Sequence, residues 1–251
     1  MTELSHVVKA WRRDDATTAG RVPRHGSAGD CGGGSGTAAQ RLSPDDVGLQ
    51  LLENSTATVL GLAVLILLFG PVSGAHFNPV VTLADWWLGR RSSAGRPPAE
   101  VAAYVVSQCA GGIGGALLAN VMFSVDAGLA ATERTGTGLL VGEVVATAGL
   151  VLMIFALVRS GRATLVATAV GAYIGAAYWF TSSTSFANPA VTVGRTFTDT
   201  FAGIAPSSVS AFVGAQLVGG AVGVLLVLAL FPATARRADA VDAVEPEPAR
   251  A

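Results

Sequence analysis

Five stretches of about 20 mostly apolar residues recur along the chain: Leu51–Phe69, Val101–Phe123, Leu139–Val158, Thr164–Phe180 and Val209–Phe231. Inside hydrocarbon no water can bond a free N–H or C=O, so segments of this length must close their hydrogen bonds internally, as helices. The alternating ten-residue pattern of a membrane barrel is absent. With only 13% charged residues and a mean hydropathy of +0.54, the expected fold class is an all-α polytopic membrane protein. A net charge of −1 with no basic cluster offers nothing to a nucleic acid. Cys31 and Cys109 stand alone and the three histidines are scattered, so no disulfide framework, metal set or cofactor is expected. There is no nucleophile–base pair, and the chain is not expected to be an enzyme.

Two short stretches break the apolar monotony: Gly-Ala-His-Phe-Asn-Pro-Val-Val-Thr over 74–82 and Ser-Phe-Ala-Asn-Pro-Ala-Val-Thr over 185–192. Asn is a favoured N-cap, and Pro at the first helical position lacks an N–H that would have had no partner there. Asn78-Pro79-Val80 and Asn188-Pro189-Ala190 therefore each open a helix. The periodic segments that follow, Pro79 to Leu88 and Pro189 to about Phe197, would rise only ~15 Å, roughly half of a ~30 Å hydrocarbon core. Paired half-helices in matching positions of a repeat mark a site at the bilayer midplane.

The matching positions are legible. Phe77-Asn-Pro-Val-Val-Thr-Leu repeats as Ala187-Asn-Pro-Ala-Val-Thr-Val, and Gln108 and Gln216 align within a second shared segment ending in Gly-Gly. The second unit reads helix, helix, half-helix, helix; the first lacks its leading helix. Three full spans separate the boxes, so their loops enter from opposite faces. Arg90, Arg91, Arg96, Arg159, Arg162, Arg236 and Arg237 share one side, against Arg134 and Arg195 on the other, which places the first loop's entry in the cytoplasm. Residues 1–48 are polar and expected to be disordered, 49–232 form the membrane domain, and 233–251 form a disordered tail. The run from Arg21 to Gly34 is encodable by codons that, read one base later, give Glu-Phe-Leu-Gly-Thr-Ala-Leu-Leu-Val-Thr-Val-Val-Val. That is the opening of a membrane helix, so a local frameshift at about 21–34 is the expected reason why five full spans stand instead of six.

Two Asn-Pro-Ala-type boxes, each at the end of an apolar helix, inside an inverted repeat with Glu143 opening the third span, resemble the aquaporin or major intrinsic protein family over about Leu49 to Pro232. The segment from Tyr178 to Thr192, followed by Thr198-Asp-Thr-Phe-Ala-Gly-Ile, is similar to a bacterial branch linked with arsenic resistance. The resemblance implies a multi-pass protein of the plasma membrane, in contact with lipid, assembled as a homotetramer with one pore per subunit. It also places the solute-size constriction at Thr58, Ala176, Ser185 and Val191. Water-selective members carry large residues at the first two of these and Arg at the last, so Thr, Ala, Ser and Val imply a wide, uncharged constriction. It further makes Glu143 an acceptor for the backbone of the second re-entrant loop, while the equivalent Glu of the first half would belong to the lost helix.

Arg195 lies four residues beyond Val191, one turn outward on the same face, where it either guards the outer mouth or snorkels to the headgroups. His76 is a pH gate or a loop-packing residue. Glu53 is interfacial, Trp86, Trp87 and Trp179 are interfacial anchors, and Gly111, Gly112, Gly219 and Gly220 are close helix crossings. The expected function is passive conduction of small uncharged solutes: glycerol-like polyols, arsenous acid, methylated arsenicals or water. A secondary transporter also uses half-helices at a repeat interface, but beyond Glu53 and Glu143 the spans offer no charged coupling residue. A non-conducting remnant is the third possibility, should the absent helix leave a wall open.

Overall fold

The computed structural model describes residues 28–90, 95–126 and 128–232, with side chains from 34 onward. The segment 1–27, which holds half of the 21–34 run, and the tail 233–251 lie outside the described residues. The elements are α1 (Ala28–Leu42), α2 (Val47–Ser73), α3 (Pro79–Gly89), α4 (Pro98–Met122), α5 (Thr137–Arg159), α6 (Val166–Phe180), α7 (Pro189–Gly194) and α8 (Pro206–Leu230). Short 3₁₀ turns at Ala163–Leu165 and Arg195–Phe197 lead into α6 and extend α7.

Among the described residues, five helices are long and apolar enough to cross a membrane: α2, α4, α5, α6 with its leading turn, and α8. They coincide with the five sequence stretches, and their ends follow from capping chemistry. Asp46 accepts from Leu49 N at 2.9 Å and opens α2 four residues ahead of the apolar run. Pro98 and Pro206, 108 residues apart like Gln108 and Gln216, occupy the first turns of α4 and α8. The large apolar side chains along these helices, such as Leu60, Val64 and Leu67 on α2 and Leu225 on α8, are exposed and form the lipid-facing side.

The chain folds as two inverted halves, α1–α4 and α5–α8. In the second half α5 packs against α6 and α8; in the first, α1 packs against α2 and α4. The short helices α3 and α7 each reach across to the other half, α3 against α8 and α7 against α4. Helix α1 corrects the expectation for residues 1–48: its 28–42 segment is helical and takes the position in the first half that α5 takes in the second. The sequence concealed it because a segment with glycines at 29, 32, 33, 34 and 36 loses about 1 kcal/mol of helix propensity at each. Tertiary packing overrides that propensity. Gly36 sits where a Cβ would lie 2.8 Å from Ala202 Cβ, so this crossing admits no larger residue without movement. At ~1.5 Å per residue the described part of α1, 15 residues, rises about 22 Å.

Glycine sets the closeness of the central crossings. A Cβ on Gly112 of α4 would lie 2.6 Å from the Ala190 carbonyl oxygen, and one on Gly220 of α8 would lie 2.3 Å from Val80 Cγ1. The third residue of each Asn-Pro box thus rests on the glycine of the opposite half. Within the second half, a Cβ on Gly219 would lie 2.5 Å from the Val144 carbonyl oxygen of α5.

Candidate functional site: a lumen between two half-helices

Asn78 caps α3 by accepting from Val80 N at 2.9 Å, and Asn188 caps α7 by accepting from Ala190 N at 2.9 Å. Those bonds use the side-chain oxygens. The amide nitrogens turn across the pseudo-symmetry axis: Asn78 Nδ2 donates to the Ala187 carbonyl at 2.7 Å, and Asn188 Nδ2 donates to the Phe77 carbonyl at 2.8 Å. Each residue therefore caps its own half-helix and pins the other loop, with one N–H of each amide still unspent. Both asparagines line a single cavity that extends past them in each direction, to Thr58 and Arg195 at one end and to Asp85 and Val158 at the other. Its volume of about 160 Å³ has room for roughly ten waters at ~10–15 Å³ each.

The two loops are braced by a shared motif. Gln216 Nε2 donates to Thr192 Oγ1 at 2.9 Å, and Gln108 Nε2 donates to Thr82 Oγ1, also at 2.9 Å. In the second half the brace is completed by Glu143, fully buried, which accepts from Phe186 N at 2.9 Å, Ala187 N at 2.8 Å and Gln216 Nε2 at 2.6 Å. Thr184, Ser185 and Ala187 all hold positive φ (58°, 46° and 47°), a conformation that costs an L-residue about 1–2 kcal/mol. A carboxylate with two backbone donors holds the loop in that shape. In the first half Phe77 N instead donates to Ala75 O at 2.9 Å within its own loop, and Gln108 Nε2 turns to the His76 carbonyl. Among the described residues no carboxylate stands where Glu143 stands in the second. His76 is buried, lines the cavity and packs its ring 5.9 Å from that of Tyr104.

The constriction differs from the sequence expectation. Thr58, Ser185 and Val191 all line the cavity, but Ala176 does not: it lies on the exposed side of α6. The lumen-facing positions of α6 run Val166, Val170, Ile174 and Tyr178 at four-residue spacing. Tyr178 is therefore the residue that α6 supplies at the level of Thr58, and its hydroxyl lies 3.4 Å from Thr58 Oγ1. Arg195 is also inside rather than snorkelling outward. It is buried, lines the cavity and donates from Nη2 to Tyr178 Oη at 2.9 Å. The cavity lining at this end thus adds an aromatic and a cationic group to Thr58, Ser185 and Val191.

Phe186 organises this end. Its ring meets that of Phe212 edge-on with centroids 5.4 Å apart, and the guanidinium carbons of Arg195 and Arg134 lie 4.3 Å and 4.9 Å from its centroid. Arg134 is fixed by the Gly203 and Phe201 carbonyls at 2.8 Å and 3.0 Å. Burial pushes its guanidinium down to about 10, and the Arg195 charge acts in the same direction. It remains a cation at neutral pH. The other expected interfacial residues fall near the surface. Glu53 is half-buried and accepts from Ser43 Oγ at 2.9 Å, while Trp87 and Trp179 are exposed, with Arg90 stacked 3.3 Å over the Trp87 ring.

Residues 31–187 match the family model described as major intrinsic protein, a match that stops one residue before Asn188. The chain is 46% identical to the aquaglyceroporin AqpS of Rhizobium meliloti (strain 1021) over 187 residues, 74% of this chain and 77% of that one. It is 32% identical to aquaporin Z of Photorhabdus laumondii over 42% of each chain. Similarity to the propanediol uptake facilitator PduF of Salmonella typhimurium is 42% identity over 26% of this chain and 23% of that one. With the inverted halves, the crossed asparagines and these matches together, the chain belongs to the major intrinsic protein family of membrane channels.

Proposed function

We propose that this protein passively conducts small uncharged solutes across the plasma membrane, glycerol-like polyols first and water with them. The observation that carries the reading is the reciprocal bonding of Asn78 and Asn188 in the middle of a cavity lined from end to end. A neutral solute in that cavity exchanges its water partners for the spare amide N–H groups and the loop carbonyls. Cations are disfavoured there by the partial positive charge of the half-helix N-termini, by up to about half an elementary charge at each, and by Arg195. No step needs chemistry, and irregular backbone at this depth is tolerated because it lines a wet passage. The names of the relatives, an aquaglyceroporin and a propanediol facilitator, favour polyols. Arsenous acid and methylated arsenicals are small oxygen-bearing solutes of compatible size and belong in the same test. The protein is proposed to work as a homotetramer, for which native mass spectrometry in detergent should return four copies.

Stopped-flow light scattering on proteoliposomes of the full chain tests the function. Glycerol and water permeability should rise well above that of empty vesicles and stay proportional to the gradient. Saturating or proton-driven flux would turn the reading towards a transporter, and vesicles no leakier than empty ones would mean that the protein does not conduct.

A further inference from the structure

We infer that this channel selects its solutes at a constriction made by Arg195 and Tyr178, one helical turn beyond Val191, and that Tyr178 is the positioning residue that holds the guanidinium across the lumen. The inference rests on the conduction reading above and adds to it the groups that discriminate. Val191 and Arg195 lie at i and i+4, on one face of the α7 segment and its 3₁₀ extension. Both line the cavity, and so does Tyr178 from the opposing helix. Tyr178 Oη accepts from Arg195 Nη2 at 2.9 Å and stands 3.4 Å from Thr58 Oγ1, so three elements are tied together around the passage. The Phe186 ring packs against the guanidinium from the loop side, its centroid 4.3 Å from the guanidinium carbon.

Two further atoms point to a solute. Arg195 Nε and Ser185 Oγ are buried in the cavity wall and have no hydrogen-bond partner in the protein, on residues only 4% and 2% exposed. Polar atoms left unpaired at that depth carry a desolvation cost, and a passing molecule relieves it. A guanidinium N–H can only donate, and a hydroxyl can donate or accept. The matching solute is a small molecule with an acceptor oxygen beside a hydroxyl hydrogen, as in a vicinal diol. A cation finds the guanidinium in its way, and a solute without an acceptor leaves both atoms unpaired.

The test compares glycerol, ribitol and potassium permeability in proteoliposomes of the full chain and of Arg195→Val, Tyr178→Phe and the double variant. Arg195→Val should lower the glycerol-to-ribitol ratio about tenfold, the size expected for losing one bond to a charged group, and should admit potassium. Tyr178→Phe keeps the ring and its packing, and should shift the ratio in the same direction by about threefold. It therefore reads the proposal even if Arg195→Val does not assemble. Because Tyr178 acts through Arg195, the double variant should match Arg195→Val alone. A wild-type ratio in either single variant, or independent multiplication of the two effects, overturns the constriction while leaving conduction intact. A wild-type chain that carries no glycerol at all overturns conduction and this inference together.

Discussion

At the scale of single residues, one carboxylate and one hydroxyl decide the geometry of the second loop and of the passage beside it. Glu143 is inside a span, without exposure, and accepts three hydrogen bonds. Replacing it with Gln puts an NH₂ where two backbone N–H groups converge, so at least one donor faces another donor. Glu143→Gln should cost about 3 kcal/mol, as for removing the charged partner of a buried network. In a domain of this size that corresponds to a fall of about 6–12 °C in the detergent melting midpoint. Glycerol flux should fall with it as the loop leaves its left-handed turn. Glu53→Gln, half-buried and with one hydroxyl donor from Ser43, should shift the midpoint by less than half as much. Equal shifts would show that Glu143 is an ordinary polar residue. Both Asn-Pro boxes and Glu143 were legible in the sequence, because caps and intramembrane charges leave local signatures, whereas Ser185 was placed only by the family resemblance. Tyr178 was not legible. The resemblance that placed Ala176 carries a register from other chains, whereas the four-residue stripe through Val166, Val170 and Ile174 on α6 gives the facing residue directly.

At the scale of elements, the central question is how two short helices from opposite faces come close enough to share hydrogen bonds. The answer is absent side chains at the crossing: Gly112 beneath Ala190, Gly220 beneath Val80, and Gly194 of α7, where a Cβ would lie 2.5 Å from the Gly112 carbonyl. Gly114, two residues along α4, is an internal control, because a Cβ added there would meet nothing within 4 Å. Gly112→Val should destabilise the protein by about 1–3 kcal/mol or more, because packed backbone on the far side cannot yield. It should also uncouple the Asn188–Phe77 bond and reduce glycerol flux at least severalfold. Gly114→Val should leave the melting midpoint within a degree or two. If the two variants melt together, close α4–α7 packing does not hold the half-helices in place. Gly112, Gly219 and Gly220 were readable from the repeat, and so were the spans, whereas Gly194 was not. Helix starts were displaced outward by three or four residues wherever Pro98, Pro206 or Asp46 supplied a polar or cyclic first turn, because apolar periodicity begins only where lipid does.

At the scale of the whole molecule the two halves are compared best at α1. This helix occupies the slot that α5 fills in the second half, and its described part, 15 residues, rises about 22 Å at ~1.5 Å each. The first loop has the Gln108–Thr82 pair, and among the described residues no carboxylate joins it. Replacing residues 21–33 by Glu-Phe-Leu-Gly-Thr-Ala-Leu-Leu-Val-Thr-Val-Val-Val would, as a continuous helix to Leu42, reach ~33 Å, enough for a ~30 Å core. It would also place a carboxylate two turns ahead of Ala28, on the side where Gln108 and the first loop lie. Two new bonds to a charged acceptor, at about 1.5–3 kcal/mol each, should raise the melting midpoint by more than 5 °C at ~2–4 °C per kcal/mol. The gain should vanish when the introduced Glu is changed to Ala, while the apolar length remains. That comparison separates a loop brace from mere span length. A restored chain that melts no higher than the original would mean that α1 already completes the first half without the introduced carboxylate.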